Sequence, residues 1–103
     1  MEEIYRTSSV FPKSELFGLT SQMHRAAVSI PANLAEGFMR GHKAEYVQFI
    51  RIAYGSGAEL ETHVEIASRL GYIGDVDKVR IQALLEEVMR MLNGLLSSLI
   101  TKH

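Results

Sequence analysis

Three long stretches of the sequence repeat apolar residues at intervals of three and four, and this spacing constrains the fold more than any other feature. Residues at those intervals lie on one face of an α-helix. The stretches cover about residues 14–40, 43–70 and 76–101, and a shorter helix is predicted at about 2–7. No stretch alternates apolar and polar residues over the length that a strand requires. The spacing therefore predicts an all-α chain.

The segments between the predicted long helices are short, and this decides how the helices pack. They are "RGHK" at 40–43 and "LGYI" at 70–73, where Gly71 is predicted to take the left-handed conformation that commonly follows a helix end. Ser14 has the features of a helix start. Helices joined by short turns pack as antiparallel neighbours, so residues 1–103 are predicted to form a single domain, an up-and-down helical bundle.

Composition limits the kind of protein that this pattern can build. The chain has 103 residues, of which 47% are apolar and 22% charged, and it has no cysteine. Disulfides and thiolate metal sites are therefore excluded, which is compatible with a reducing cytoplasm. The apolar runs are far shorter than the roughly 20 residues that cross a bilayer, and the acidic start "MEEIYRTSSV" is unlike a secretory signal. We expect a cytoplasmic protein without a membrane partner.

The net charge of the chain is −1 and its pI is about 6.4, so the chain as a whole is not expected to attract nucleic acid. Its densest group of cations lies around the predicted turn at 40–43. A local patch of this kind is able to meet phosphates, and the alternative is a solvated loop with scattered surface charge. The candidate nucleic-acid contacts are Arg25, Arg40, His42, Lys43 and Arg51.

A strip of polar residues runs along the first long helix, which also contains Pro31. A proline inside a helix removes a backbone hydrogen bond and costs about 3 kcal/mol, unless a bend is useful or polar side chains satisfy the freed carbonyl. Two interpretations are open. The strip is hydrogen-bonded inside the bundle or at a subunit interface and sets helix register, or it lines a ligand or catalytic pocket. The strip consists of Gln22, Ser29, Asn33 and Glu36, with Arg40 following.

No group of residues predicts a catalytic or metal site. Glu59 and His63 share a helix face, but the Glu-x-x-His spacing of di-iron bundles is absent, and surface ion pairs are the simpler interpretation. Gly55 and Gly57, within "YGSGAEL", lack the lysine of a phosphate-binding loop and are predicted to permit close helix approach. We therefore expect no enzyme, no cofactor and no small-molecule substrate, and an acid–base role of Glu36 is the only enzymatic alternative.

Two segments of the chain resemble a known protein family. "FPKSELFGLTSQMHRAAVSIPANLAEGF" and "EYVQFIRIAYGSGAELETHVEIASRLGYI" are similar to the 23S ribosomal RNA intervening-sequence proteins. They share a Phe-Pro-x-x-Glu start, a Gln-x-x-x-Ala-Ala-x-Ser-Ile-x-x-Asn-x-x-Glu-Gly core and a Glu-Leu-Glu-Thr segment in the same order. The match runs from about Tyr5 to Ile73, and residues 75–103 agree only in forming an amphipathic helix.

The resemblance implies an antiparallel up-and-down four-helix bundle that assembles as a ring-like homopentamer and has no established enzymatic activity. Members usually have a full first helix, whereas only "MEEIYRT" stands in that place here. We expect this shortened first helix to uncover an apolar groove that a partner chain, a swapped segment or a rearranged helix must cover. The fold is also similar to that of the accessory protein of diversity-generating retroelements, a pentamer that binds nucleic acid and a reverse transcriptase.

These observations predict a non-enzymatic, self-assembling helical protein that serves as an oligomeric scaffold or interaction module. The expected partners are copies of the chain itself, five by the family resemblance. The alternative is an RNA-binding accessory protein that uses the basic patch near the turn at 40–43.

Overall fold

Four α-helices form the structure, which is a computed structural model that describes residues 2–15 and 18–100. The helices are α1 (Glu2–Ser8), α2 (Leu19–Met39), α3 (Lys43–Arg69) and α4 (Asp75–Ile100), and a 3-10 turn, Lys13–Glu15, lies between α1 and α2. No strand occurs in this part of the chain. Its dimensions are 48 × 24 × 17 Å. The predicted all-α four-helix bundle with a short first helix is confirmed.

The first long helix begins later than the sequence predicts. A 3-10 turn occupies the region around Ser14, and α2 begins at Leu19 after Gly18. Glu15 Oε1 accepts a hydrogen bond from the Leu19 backbone N–H (3.4 Å), and Glu15 Oε2 accepts one from the Tyr72 hydroxyl (3.0 Å). Glu15, which directly follows the predicted start at Ser14, therefore lies outside the helix, where its side chain accepts a hydrogen bond from an N–H at the true start.

Two glycines reverse the chain between the long helices. Gly41 follows α2 with φ +76°, and Gly71 follows α3 with φ +79°, a conformation that a Cβ disfavours. After α3, the Tyr72 N–H donates to the Ala67 carbonyl (2.9 Å) and the Gly71 N–H donates to the Ser68 carbonyl (3.0 Å), which is the Schellman arrangement. The predicted left-handed conformation of Gly71 is confirmed. Because both reversals are short, α3 runs antiparallel to α2 and to α4.

Helix α3 lies in the middle of the bundle. It packs against both α2 and α4, whereas no Cα atom of α2 lies within 8 Å of one in α4 over the described ranges. The short α1 bridges part of this gap, since Ser8 Oγ is 2.7 Å from His24 Nε2 of α2 and Glu3 is 3.7 Å from the guanidinium of Arg80 in α4. The largest fully buried side chains are Ile4, Met23, Ile50, Leu60, Val64, Ile81 and Leu85.

Gly37 and Gly57 allow α3 to approach its two neighbours closely. A Cβ added at Gly37 of α2 would lie 2.5 Å from the Cβ of Phe49 in α3, and one added at Gly57 of α3 would collide with the sulfur of Met89 in α4. The predicted role in close helix approach is therefore confirmed for Gly57. It is wrong for Gly55, because no atom lies within 4 Å of the position that its Cβ would take.

Candidate functional site

An apolar groove lies between α2 and α4, beside the start of α1. Its volume is about 640 Å³, and Glu2 and Glu3 are its only charged lining residues among those described. The apolar lining consists of Ile30, Pro31 and Leu34 from α2 and Leu84, Val88, Met91, Leu92 and Leu95 from α4. The groove lies where the seven residues of α1 leave the space between α2 and α4 uncovered. The apolar groove that we predict from the shortened first helix is therefore present.

The exposed side of α2 next to the groove carries little charge. Between Val28 and Met39 the only charged residue is Glu36, and the side chains of Phe38 and Met39 are 69% and 80% exposed. At 100° per residue the exposed apolar positions fall on one arc of about 120°. A helix face that meets only water usually carries charged residues, so this face has the composition of an interface. We call it the α2 outer face; it comprises Val28, Pro31, Ala32, Ala35, Phe38 and Met39.

The polar strip of α2 divides between the helix interface and the surface. Asn33 Nδ2 donates to the Ser29 carbonyl and to Ser29 Oγ, both at 2.8 Å, and Ser29 Oγ is 2.8 Å from Ser56 Oγ in α3. Ser29 and Asn33 therefore tie α2 internally and to α3, and neither lines the groove. These contacts favour the structural interpretation of the two residues.

The other two members of the polar strip make contacts at the surface. Gln22 accepts a hydrogen bond from Arg25, one turn further along α2. Glu36, whose side chain is 54% exposed, pairs with Arg40 at 3.0 Å. No metal ligand set accompanies Glu36, because no group of three His, Cys, Asp or Glu side chains within residues 2–15 and 18–100 is arranged to hold an ion.

The structure separates the candidate nucleic-acid contacts into different environments. Arg40 pairs with Glu36 and with Glu45 at 3.4 Å, so its charge is already offset by two carboxylates. It also lies over the Phe49 ring, 5.2 Å from the centroid. Arg25 precedes Arg40 by 15 positions, which is about 22 Å along the helix axis. Arg25 therefore lies apart from the cluster at 40–43.

The remaining cations lie at the start of α3. His42 is the residue immediately before the helix, Lys43 is its first residue, and both are exposed. Arg51 follows Lys43 by eight positions and is also exposed. It lines a second pocket, of about 310 Å³, between α3 and α4 together with Tyr54, Asn93 and Leu96. The sequence pattern singles out Arg51 but carries no signal for the other three residues.

Two side chains near the end of α3, Glu65 and Tyr72, have pKa values that hydrogen bonds shift from the ordinary values. The hydrogen bond from Arg69 lowers the pKa of Glu65, and a second hydrogen bond from Lys78 of α4 adds to this effect. The hydrogen bond to Glu15 raises the pKa of the Tyr72 hydroxyl. Both groups join separate elements of the bundle, so their titration reports on helix packing rather than on a reactive centre.

The histidines do not converge on one place. His24 contacts Ser8 and its ring lies 4.3 Å from that of Tyr5, whereas both ring nitrogens of His63 are buried without a hydrogen-bond partner in the described part of the chain. His103 lies outside the described residues.

None of the helices in the described ranges has the length and apolar character needed to cross a membrane.

Comparison with known families identifies the chain. The family model of the 23S rRNA-intervening sequence protein matches residues 1–94, which is most of the 103-residue chain. No curated protein sequence matches it significantly. The chain therefore belongs to the 23S rRNA-intervening sequence protein family.

Proposed function

We propose that this member of the family is a non-enzymatic, self-assembling helical module in the cytoplasm, in which a second copy of the chain covers the groove between α2 and α4. The observation that carries this proposal is the apolar lining of that groove. The number of copies that we propose is five, which is what the family resemblance implies. The assembled particle would act as a scaffold or interaction module.

The groove and the α2 outer face together have the properties of a subunit interface. Apolar surface left in water costs about 25 cal/mol for each Å², and contiguous apolar patches on soluble proteins commonly mark interaction sites. Met and aromatic side chains are enriched in such interfaces while charged residues are depleted, and Phe38, Met39 and Met91 are all exposed here. A surface with so few charged residues selects an apolar partner, and another copy of this chain always supplies one at equal concentration.

The mass of the particle in solution tests this proposal. We expect sedimentation velocity and light scattering to give an oligomer for the unmodified chain, and we expect Met91→Glu to dissociate it because the charge enters the groove. Val79→Glu is the matched control, since Val79 is on the same helix, is 65% exposed against 66% for Met91, and does not line the groove. A monomeric unmodified chain, or equal effects of the two variants, would overturn the proposal.

A second candidate function is RNA binding by an accessory protein that uses the cations near the turn between α2 and α3. It is supported by the exposed positions of His42 and Lys43 beside that turn. Binding through phosphates weakens as salt rises, so we expect labelled RNA to shift at low salt and to be released at higher salt. The double variant Arg40→Glu, Lys43→Glu should abolish the shift, and binding that survives it at low salt would contradict this function for the turn.

A further inference from the structure

We propose that the pocket formed by Arg51, Tyr54 and Asn93 binds one nucleotide of a single-stranded nucleic acid. The inference rests on the second candidate function and moves its specific contact from the turn to the cleft between α3 and α4. Arg51 and Tyr54 are three positions apart on α3, hence on neighbouring parts of one face, and Asn93 and Leu96 have the same spacing on α4. The four side chains line one pocket of about 310 Å³.

The polar groups of this pocket are available to a ligand. Within residues 2–15 and 18–100, Arg51, Tyr54 and Asn93 make no ion pair, hydrogen bond or ring contact with other side chains. Arg51 differs in this from Arg40, whose guanidinium is held by two carboxylates. The Tyr54 side chain is 39% exposed, so one part of it is fixed by packing while another part faces the pocket.

The charge around the pocket favours an anion. Residues 46–58 of α3 and residues 88–100 of α4 contain Arg51 and Arg90 but no Asp or Glu. The chain as a whole has a net charge of −1, so these two adjoining segments form a locally cationic region of a nearly neutral protein. Attraction of a phosphate there depends on the local field rather than on the net charge.

The three side chains match the phosphate, the face of the base and the edge of the base of one nucleotide. A guanidinium binds phosphate through two parallel hydrogen bonds, a tyrosine ring stacks on a base of any sequence, and an asparagine amide offers a donor and an acceptor to a base edge. The volume of the pocket is at the lower end of the range of about 300–1,000 Å³ for small-ligand sites, which suits one nucleotide. A base enters a concave pocket only when it is unpaired, so the pocket selects single strands over duplex.

Fluorescence anisotropy with labelled oligouridine and oligothymidine of about 15 nucleotides tests the assignment, with duplex RNA of the same length beside them. We expect the full chain to bind both single strands more tightly than the duplex. Arg51→Gln should weaken binding about tenfold and reduce the slope of log K against log salt by about 0.7, the value for one phosphate of a single strand. Arg69→Gln is the control, because it removes the same charge from a residue of α3 that is 80% exposed and lies 18 positions from Arg51.

The aromatic contact is tested separately from the charge. Tyr54→Ala should weaken binding about tenfold because it removes a stacking surface, whereas Tyr54→Phe keeps the ring and should stay close to the unmodified protein. Asn93→Ala should lose less than Tyr54→Ala. Thermal melting followed by circular dichroism establishes that each variant is folded at the temperature of the binding measurement.

The possible failures are distinguishable. If the unmodified chain binds single strands but Arg51→Gln behaves as Arg69→Gln does, or if Tyr54→Phe loses as much as Tyr54→Ala, the pocket is not the site while the second candidate function stands. If duplex binds as tightly as single strands, the pocket assignment is overturned as well. If the unmodified chain binds no nucleic acid even at low salt, the second candidate function falls and the pocket assignment falls with it.

Discussion

Helix α2 has two very different sides. Toward α3 it is closely packed, with Gly37 against Phe49 and Ser29 hydrogen-bonded to Ser56. Toward α4 the two helices face each other across an apolar groove of about 640 Å³. Both sides are apolar, so hydrophobicity does not distinguish them. What distinguishes them is the fit of the surfaces, because a close-packed interface requires complementary shapes as well as apolar residues.

The contrast separates residues that are packed within the fold from residues that remain exposed in the groove. On the α3 side, small residues such as Gly37 and the hydrogen bond between Ser29 and Ser56 bring the two helices into direct contact, so little of that surface is exposed. On the groove side, large flexible side chains such as Met91 are 66% exposed, and flexible apolar side chains adapt readily to a partner. We therefore expect stability and partner recognition to depend on different sides of the same helices.

The largest expected effect compares two adjacent leucines of α4. Leu85 is 0% exposed in the core and Leu84 is 39% exposed in the groove. We expect Leu85→Ala to lower the free energy of unfolding by about 2–5 kcal/mol, because it leaves a cavity. Leu84→Ala should cost less than about 2 kcal/mol, since its side chain is only partly removed from water. Urea denaturation at low protein concentration measures both values, and equal losses would break the contrast between core and groove.

An intermediate effect is expected where α2 and α3 approach most closely. Gly37→Ala forces the two helix backbones apart, because the new Cβ would meet the root of the Phe49 side chain at 2.5 Å. Overpacking of this kind costs about 1–3 kcal/mol. Gly55→Ala is the control with the opposite sign, since nothing lies within 4 Å of its Cβ and alanine is favoured over glycine in a helix by up to about 1 kcal/mol. Thermal melting compares the two variants, and stabilisation by Gly37→Ala would disprove the close fit.

The smallest effect concerns the two ion pairs of Glu65, one within α3 and one with α4. Arg69 and Lys78 hold the pKa of Glu65 below its ordinary value of 4.5, so the stabilisation from Glu65 is present above about pH 4.5 and is lost as the pH falls through the lowered pKa. We expect the melting temperature to fall with acid, and to fall less steeply in Glu65→Gln. Glu61→Gln removes a charge one turn earlier on α3 and serves as the control; identical acid profiles for the two variants would contradict the assignment.

Periodicity was sufficient to predict α3 and α4, because each is long and has one continuous buried face. It was not sufficient at the start of α2, where Glu15 is hydrogen-bonded to Tyr72, 57 positions away. A pattern within one helix contains no information about such a contact. The same reason explains why Gly55 was wrongly assigned to a helix contact, since only the position of α4 decides which glycine of α3 faces it.

The candidate sites show the same division between local and long-range information. The sequence placed Ser29 and Glu36 on one side of a helix, but only the position of α3 decides that Ser29 lies at the interface while Glu36 remains at the surface. Tyr54 and Asn93 carry no motif, and their meeting in one pocket depends on the register between α3 and α4. The apolar groove was predictable because it follows from a whole helix being short rather than from any single contact.

The two left-handed glycines between the long helices have a consequence for how this chain can change over time. Nothing lies within 4 Å of the Cβ that a substitution would add at Gly41 or Gly71, so crowding is not what excludes other residues. The penalty is in the backbone angle itself. A poor fit in the core can be repaired by altering a neighbouring side chain, but a neighbouring side chain does not change the positive φ angle that each of these turns requires. These two positions should therefore resist drift even where the packed surfaces around them are exchanged.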